Sequence, residues 1–98
     1  MANNTTTGQS AITTTDHETI RRWVEARGGR PARVKGTERP NDPGLLRINF
    51  PGYSGEDTLE EISWDEWFKG FEAHNLSFLY EDDPNSRFNK LISRDKRS

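Results

Sequence analysis

Apolar residues fall along this chain in two periods. Ile20, Trp23 and Val24 stand at i, i+3 and i+4, and Trp64, Trp67, Phe68 and Phe71 at i, i+3, i+4 and i+7; each set draws one apolar stripe on a helix. Four other stretches carry the alternation of strands: 32–35 (ARVK), 45–50 (LLRINF), 76–81 (LSFLYE) and 87–93 (RFNKLIS). Turn formers lie between them. The loop 37–44 (TERPNDPG) joins the first two and 82–86 (DDPNS) the last two, so each pair reads as an antiparallel hairpin.

The helix ends are marked as well. Thr15-Asp16-His17-Glu18 and Ser63-Trp64-Asp65-Glu66 fit the capping box, in which the hydroxyl accepts the backbone N–H three residues on and the Glu reaches back to the cap's own N–H. Ile62 before the second cap and Trp67 at the fourth helical position add a hydrophobic staple. Gly28-Gly29 and Asn75 supply left-handed caps, and Pro31 forbids continuation of the first helix. Helices are expected over 15–28 and 63–75. The fold class is α+β: a single small domain over 15–93 in helix-hairpin-helix-hairpin order, its two helices packed on a mainly antiparallel sheet of about four strands. Residues 1–14 and 94–98 show no period and read as flexible tails. Residues 53–61 (YSGEDTLEE) read as a polar connection pinned by Leu59. The helices can be laid over one another with Trp23 on Trp67 and Val24 on Phe68, as either a duplication or the mere economy of small α+β domains would give.

Composition narrows the classes. The 98 residues are 30% apolar and 31% charged, with a mean hydropathy of -1.03, close to the range where chains fail to order themselves. Three Trp, five Phe and two Tyr supply the large buried areas that favour one folded core. There is no cysteine, which excludes disulfides and thiolate zinc sites. No cofactor is expected. The N-terminus shows neither a basic n-region nor an apolar h-region, and no stretch approaches a membrane span; a soluble, cytoplasmic protein is expected. Charge is segmented: residues 1–40 carry net +3, 41–86 net -9 and 87–98 net +4, within a total of -2.

The most basic stretch is 27–36 (RGGRPARVKG). Its Gly-Arg-Pro resembles the centre of the AT-hook, a family of short motifs that lay arginines along the minor groove of A·T-rich DNA. Gly28 separates Arg27 from that unit, and a helix and a strand bracket it. Glycines that cap, a proline that breaks and Arg33 and Lys35 on a solvent face account for the same residues. Trp64, Trp67, Tyr53 and Tyr80 contain the aromatics of a sugar platform, but the helical spacing of the two tryptophans points to the core, leaving Trp64 alone as a partly exposed ring. Acid–base catalysis needs two carboxylates whose environments push their pKa values apart, and no such pair is marked. Asp82, Asp83 and Asn85 lack EF-hand spacing. His17 and His74 stand without a serine-and-acid or metal-ligand constellation. Phosphate-binding loops and nucleophile elbows do not occur.

Taken together, the first helix (DHETIRRWVEARGGRPARVKGT), the strand LLRINFPGYSGED, the second helix (LEEISWDEWFKGFEAHNLSFLYED) and the ending SRFNKLISRD resemble a family of small uncharacterised bacterial proteins over about 15–95. Some of its members carry the label 1,4-alpha-glucan branching enzyme. Branching enzymes need a (β/α)8 barrel, which takes about 250 residues, so the resemblance implies no such activity here. The expectation is a non-enzymatic protein-interaction or regulatory module presenting an acidic surface through Glu56, Asp57, Glu60, Glu61, Asp82 and Asp83. The alternative is a nucleic-acid accessory protein using Arg21, Arg22, Arg27, Arg30, Arg33 and Lys35, against which the acidic middle should repel phosphate. A carbohydrate-binding protein is the third.

Overall fold

The computed structural model describes residues 11–52 and 58–94. Eight elements follow in order: β1 (Ala11–Thr14), α1 (His17–Ala26), β2 (Arg30–Val34), β3 (Leu46–Asn49), β4 (Leu59–Glu61), α2 (Trp64–Ala73), β5 (Leu76–Glu81) and β6 (Asn89–Ser93). The class is α+β, and both hairpins, β2–β3 and β5–β6, are antiparallel. The single sheet of about four strands gives way to two antiparallel sheets of three, ordered β1-β5-β6 and β3-β2-β4. Two strands the apolar pattern does not show make the difference. β1 lies within the expected tail 1–14, and β4 within the expected connection 53–61. Thr13 opposes Leu79 and Thr14 opposes Phe78, yet the side chains of Ala11, Ile12 and Thr13 are exposed. Backbone pairing therefore holds β1, and it leaves no mark on the hydrophobic pattern. Among the described residues no helix is long and apolar enough to cross a membrane.

The chain repeats a β-α-β-β unit and exchanges its first strands. β1 of the first unit pairs with β5 of the second, and β4 of the second pairs with β2 of the first. Caps fix the correspondence. Asp16 and Ser63 cap the helix starts, while Gly28 (φ 75) and Asn75 (φ 56) take the left-handed conformation after the helix ends. The buried residues Ile20, Trp23 and Val24 of α1 thus match Trp67, Gly70 and Phe71 of α2. The overlay of Trp23 on Trp67 and of Val24 on Phe68 slips by nearly one turn, because aromatic identity aligns residues that occupy different depths. Gly70 can be no larger: a Cβ there would stand 2.7 Å from Pro43 Cγ.

The first cap also differs from expectation. Asp16, not Thr15, accepts from the Thr19 N–H (2.9 Å) and the Thr19 hydroxyl (2.6 Å). A carboxylate gains from the positive end of the helix, and the Thr14 hydroxyl accepts from the Asp16 N–H at 3.0 Å. Glu18 turns instead to Arg21 and Arg22. At the second cap Ser63 accepts from the Glu66 N–H at 3.0 Å, as expected. One core joins α1, β3, α2 and β5, with Ile20, Val24, Trp67, Phe71 and Phe78 fully buried. Both core indoles cross between units: Trp23 donates to the Glu81 carbonyl (2.9 Å) and Trp67 to the Arg47 carbonyl (3.0 Å).

Candidate interaction groove

The strand exchange brings the basic segment and part of the acidic middle together. Because β2 lies against β4, Arg30 meets Glu61 at 3.0 Å and Arg33 meets Glu60 at 3.2 Å. The Arg33 side chain is only 18% exposed, not the solvent-facing residue the alternation implies; it also donates to the Pro43 carbonyl. Arg21 and Arg22 are held by Glu18. Arg27 is a clamp. It donates to the carbonyls of Ser86 (2.6 Å), Asp83 (2.7 Å) and Trp23 (2.9 Å), and its guanidinium sits 4.1 Å from the Trp23 ring. Burial lowers its pKa, a shift that Asp82 and Asp83 oppose. The Asp83 carboxylate accepts from the Asn85 N–H. Lys35 is exposed, whereas Glu56 and Asp57 lie outside the described residues.

The aromatics divide as their spacing implies. Trp67 is fully buried and Tyr80 is 9% exposed; Tyr53 lies outside the described residues. Trp64 is half-buried and borders an open recess of about 530 Å³ with Glu25, Gly28, Arg30, Glu61 and Ser63. Its indole N–H donates to Glu25 at 3.1 Å, and its ring stacks on Phe68 at 5.2 Å. Both edges of the recess are thus tied by internal contacts.

Both histidines find carboxylates that sequence spacing could not reveal. His17 Nε2 lies 2.7 Å from Glu72 Oε2, with its ring stacked 4.0 Å from Phe68. Arg94, expected in the C-terminal tail, instead reaches Glu72 at 3.0 Å and donates to the Leu76 carbonyl. His17 and Arg94 together hold the Glu72 pKa below its ordinary value, Arg94 contributing most. His74 Nε2 lies 2.9 Å from Asp42 Oδ2. The Gly44 N–H, followed by His74, lowers the Asp42 pKa.

His74 and Asp42 form one end of a groove with two adjoining hollows. The larger, about 670 Å³, is floored by Leu46, Leu76 and Leu91 and edged by Leu45, Arg39 and Arg47. The smaller, about 300 Å³, lies between Leu46–Ile48 of β3 and Asn89–Leu91 of β6. Leu46, Arg47 and Leu91 line both. Leu45 is 55% exposed, an apolar side chain at the groove's lip. The Thr37 hydroxyl donates to the Val34 carbonyl and accepts from the Leu45 N–H, so it is positioned as a loop brace beside the His74–Asp42 pair. Arg39, Arg47 and Lys90 make no ion pair among the described residues, and no group of three or more His, Asp or Glu there is placed to hold a metal ion. The only sequence signal for this groove is the Leu45-Leu46 doublet, which breaks the alternation of its strand. No family model, curated protein or solved structure matches the chain, and the groove's own geometry carries the functional reading.

Proposed function

We propose that this chain is a non-enzymatic protein-interaction module of the cytoplasm whose partner seats in the leucine-floored groove. The observation that carries the reading is the exposed Leu45 beside Leu46, Leu76 and Leu91, rimmed by Arg39 and Arg47, which make no ion pair among the described residues. An apolar floor with a charged rim is the anatomy of a docking surface. The contact surface moves from the acidic residues to this groove because Glu60 and Glu61 already hold Arg33 and Arg30. The nucleic-acid reading loses support for the same reason, since phosphate must compete with those carboxylates and with the carbonyls that engage Arg27. Trp64, tied to Glu25 and Phe68, offers less to a sugar ring than an open face does.

The test is recovery of proteins from nuclease-treated native lysate by the tagged wild type, Leu45→Glu and Trp64→Ala. A protein recovered by the wild type and by Trp64→Ala but lost with Leu45→Glu is the expected outcome. Recovery unchanged by Leu45→Glu would place docking elsewhere, and loss on nuclease treatment would restore the nucleic-acid reading.

A further inference from the structure

Between β3 and β6 the two sheets turn toward one hollow edges that no described strand pairs. The Val34 N–H donates to the Leu45 carbonyl at 2.9 Å. In this register Ala32 opposes Arg47 and Arg30 opposes Asn49, and hydrogen-bonded pairs alternate along an antiparallel ladder. Those two are therefore the bonded pairs, and the N–H and C=O groups of Leu46 and Ile48 point away from β2. The second hairpin repeats the arrangement. The Arg94 N–H donates to the Asn75 carbonyl at 2.8 Å, which makes Ser77–Ile92 and Leu79–Lys90 the bonded pairs and turns the groups of Asn89 and Leu91 off the edge of β6. Among the described residues neither strand has a second partner. Leu46, Ile48, Asn89 and Leu91 all line the smaller hollow.

We infer that this hollow receives an extended acidic peptide of a partner protein, which enters as an added β-strand and joins the two sheets. The inference rests on the groove being the docking surface. Strand addition supplies affinity through main-chain hydrogen bonds and specificity through alternate side chains. Here one set of alternate side chains meets Leu46 and Leu91, and the other meets cations. Arg47 and Lys90 flank the smaller hollow and Arg39 the larger. Among the described residues the one carboxylate lining either hollow, Asp42, is already held by His74. The Arg47 guanidinium meanwhile donates to the Leu46 carbonyl at 3.1 Å, covering an acceptor that an incoming strand needs. An acidic residue on that strand would draw Arg47 off the carbonyl and free it for pairing. Cations on an edge also guard against self-association; two of one sign facing a single hollow additionally select a strand of the opposite sign.

The probe is a panel of fluorescein-labelled octapeptides that alternate Glu or Asp with Val, Ile, Leu or Phe, read by anisotropy against the full chain. Saturable binding by at least one below about 1 mM is expected. N-methylation of alternate amides in that peptide should weaken it at least about tenfold, as should Arg47→Glu with Lys90→Glu, two exposed changes checked for an unaltered melting temperature. Hydrogen exchange of the Leu46, Ile48, Asn89 and Leu91 amides should slow in the complex. The inference is overturned by no binding across the panel, by equal binding of the N-methylated or Lys-substituted peptides, or by no slowing at these amides. Concentration-dependent dimers that the peptide dissociates would assign the edges to a second copy, which also overturns it. If the panel fails while Leu45→Glu still strips a recovered protein, docking stands without the strand; if both fail, the groove itself is not the site.

Discussion

Replacing Arg27 by alanine separates a structural clamp from a nucleic-acid grip. The guanidinium donates to three backbone carbonyls, on Trp23, Asp83 and Ser86, and lies over the Trp23 ring. A net hydrogen bond is worth about 1 kcal/mol, and a partly exposed cation–π contact about 0.5–1 kcal/mol. Released side-chain entropy returns about 1–2 kcal/mol, so Arg27→Ala should cost about 1.5–3 kcal/mol. Arg30, three residues on and 66% exposed in its pair with Glu61, should cost about 0–1 kcal/mol when changed to alanine. Urea unfolding followed by circular dichroism reads both. With a slope of about 1–3 kcal/mol per molar, the Arg27 midpoint should fall by about 0.5–3 M, and at any one slope by more than the Arg30 midpoint. Equal midpoints for the two variants, with Arg27→Ala abolishing submicromolar binding to DNA, would refute the clamp.

Other outcomes follow from the same contacts. Trp67→Ala should cost about 3–5 kcal/mol, because the ring is fully buried and stacked on Phe71, against about 1 kcal/mol for loss of the Ser63 cap in Ser63→Ala; denaturant midpoints give the order, and a neutral Trp67→Ala would refute it. Deleting residues 1–14 should lower the melting temperature by roughly 5–15 °C, since it strips β1 from β5, a loss of about 1–2 kcal/mol in a chain of this size; an unchanged scan would return the segment to a tail. Acidification should destabilise the fold. Asp16, Asp42 and Glu72 have folded pKa values below the ordinary 3.8, 3.8 and 4.5, so they contribute stability that is present above those ordinary values and is lost as pH falls through the lowered ones. Glu72→Gln should flatten part of that decline in urea midpoints measured from pH 6 to pH 3, and an identical profile would exclude the Glu72 contribution.

The helices and hairpins were legible because their side chains alternate between core and solvent. Ile20, Trp23 and Val24 on α1 and the spacing of Leu46, Ile48 and Phe50 write burial directly into the sequence. β1 and β4 were not, since neither contributes a fully buried side chain and both are held through backbone pairing. The start of α1 offered two capping residues, and chemistry outside the motif chose Asp16: the Thr14 hydroxyl fixes its N–H. Partners such as Glu72 for His17 and Asp42 for His74 are set by topology alone. So is the groove, whose walls come from β3 and β6, strands of different units.

The exchanged strands also explain why segment charges do not map onto separate faces. Basic and acidic stretches that lie apart in sequence suggest faces available to partners of opposite sign. Here β4 carries Glu60 and Glu61 across to Arg33 and Arg30 of β2, and the turn after β5 presents the Asp83 and Ser86 carbonyls to Arg27. Those charges help to join one unit to the other. Among the described residues the charge left over on β3 and β6 is Arg47 and Lys90, each on a strand with one edge that no described strand pairs. The exchange covers β2 and β5 on both sides by giving each a strand from the other unit, and the same exchange leaves β3 and β6 with one partner apiece among the described strands. The architecture that neutralises the basic segment is thus the one that creates the groove.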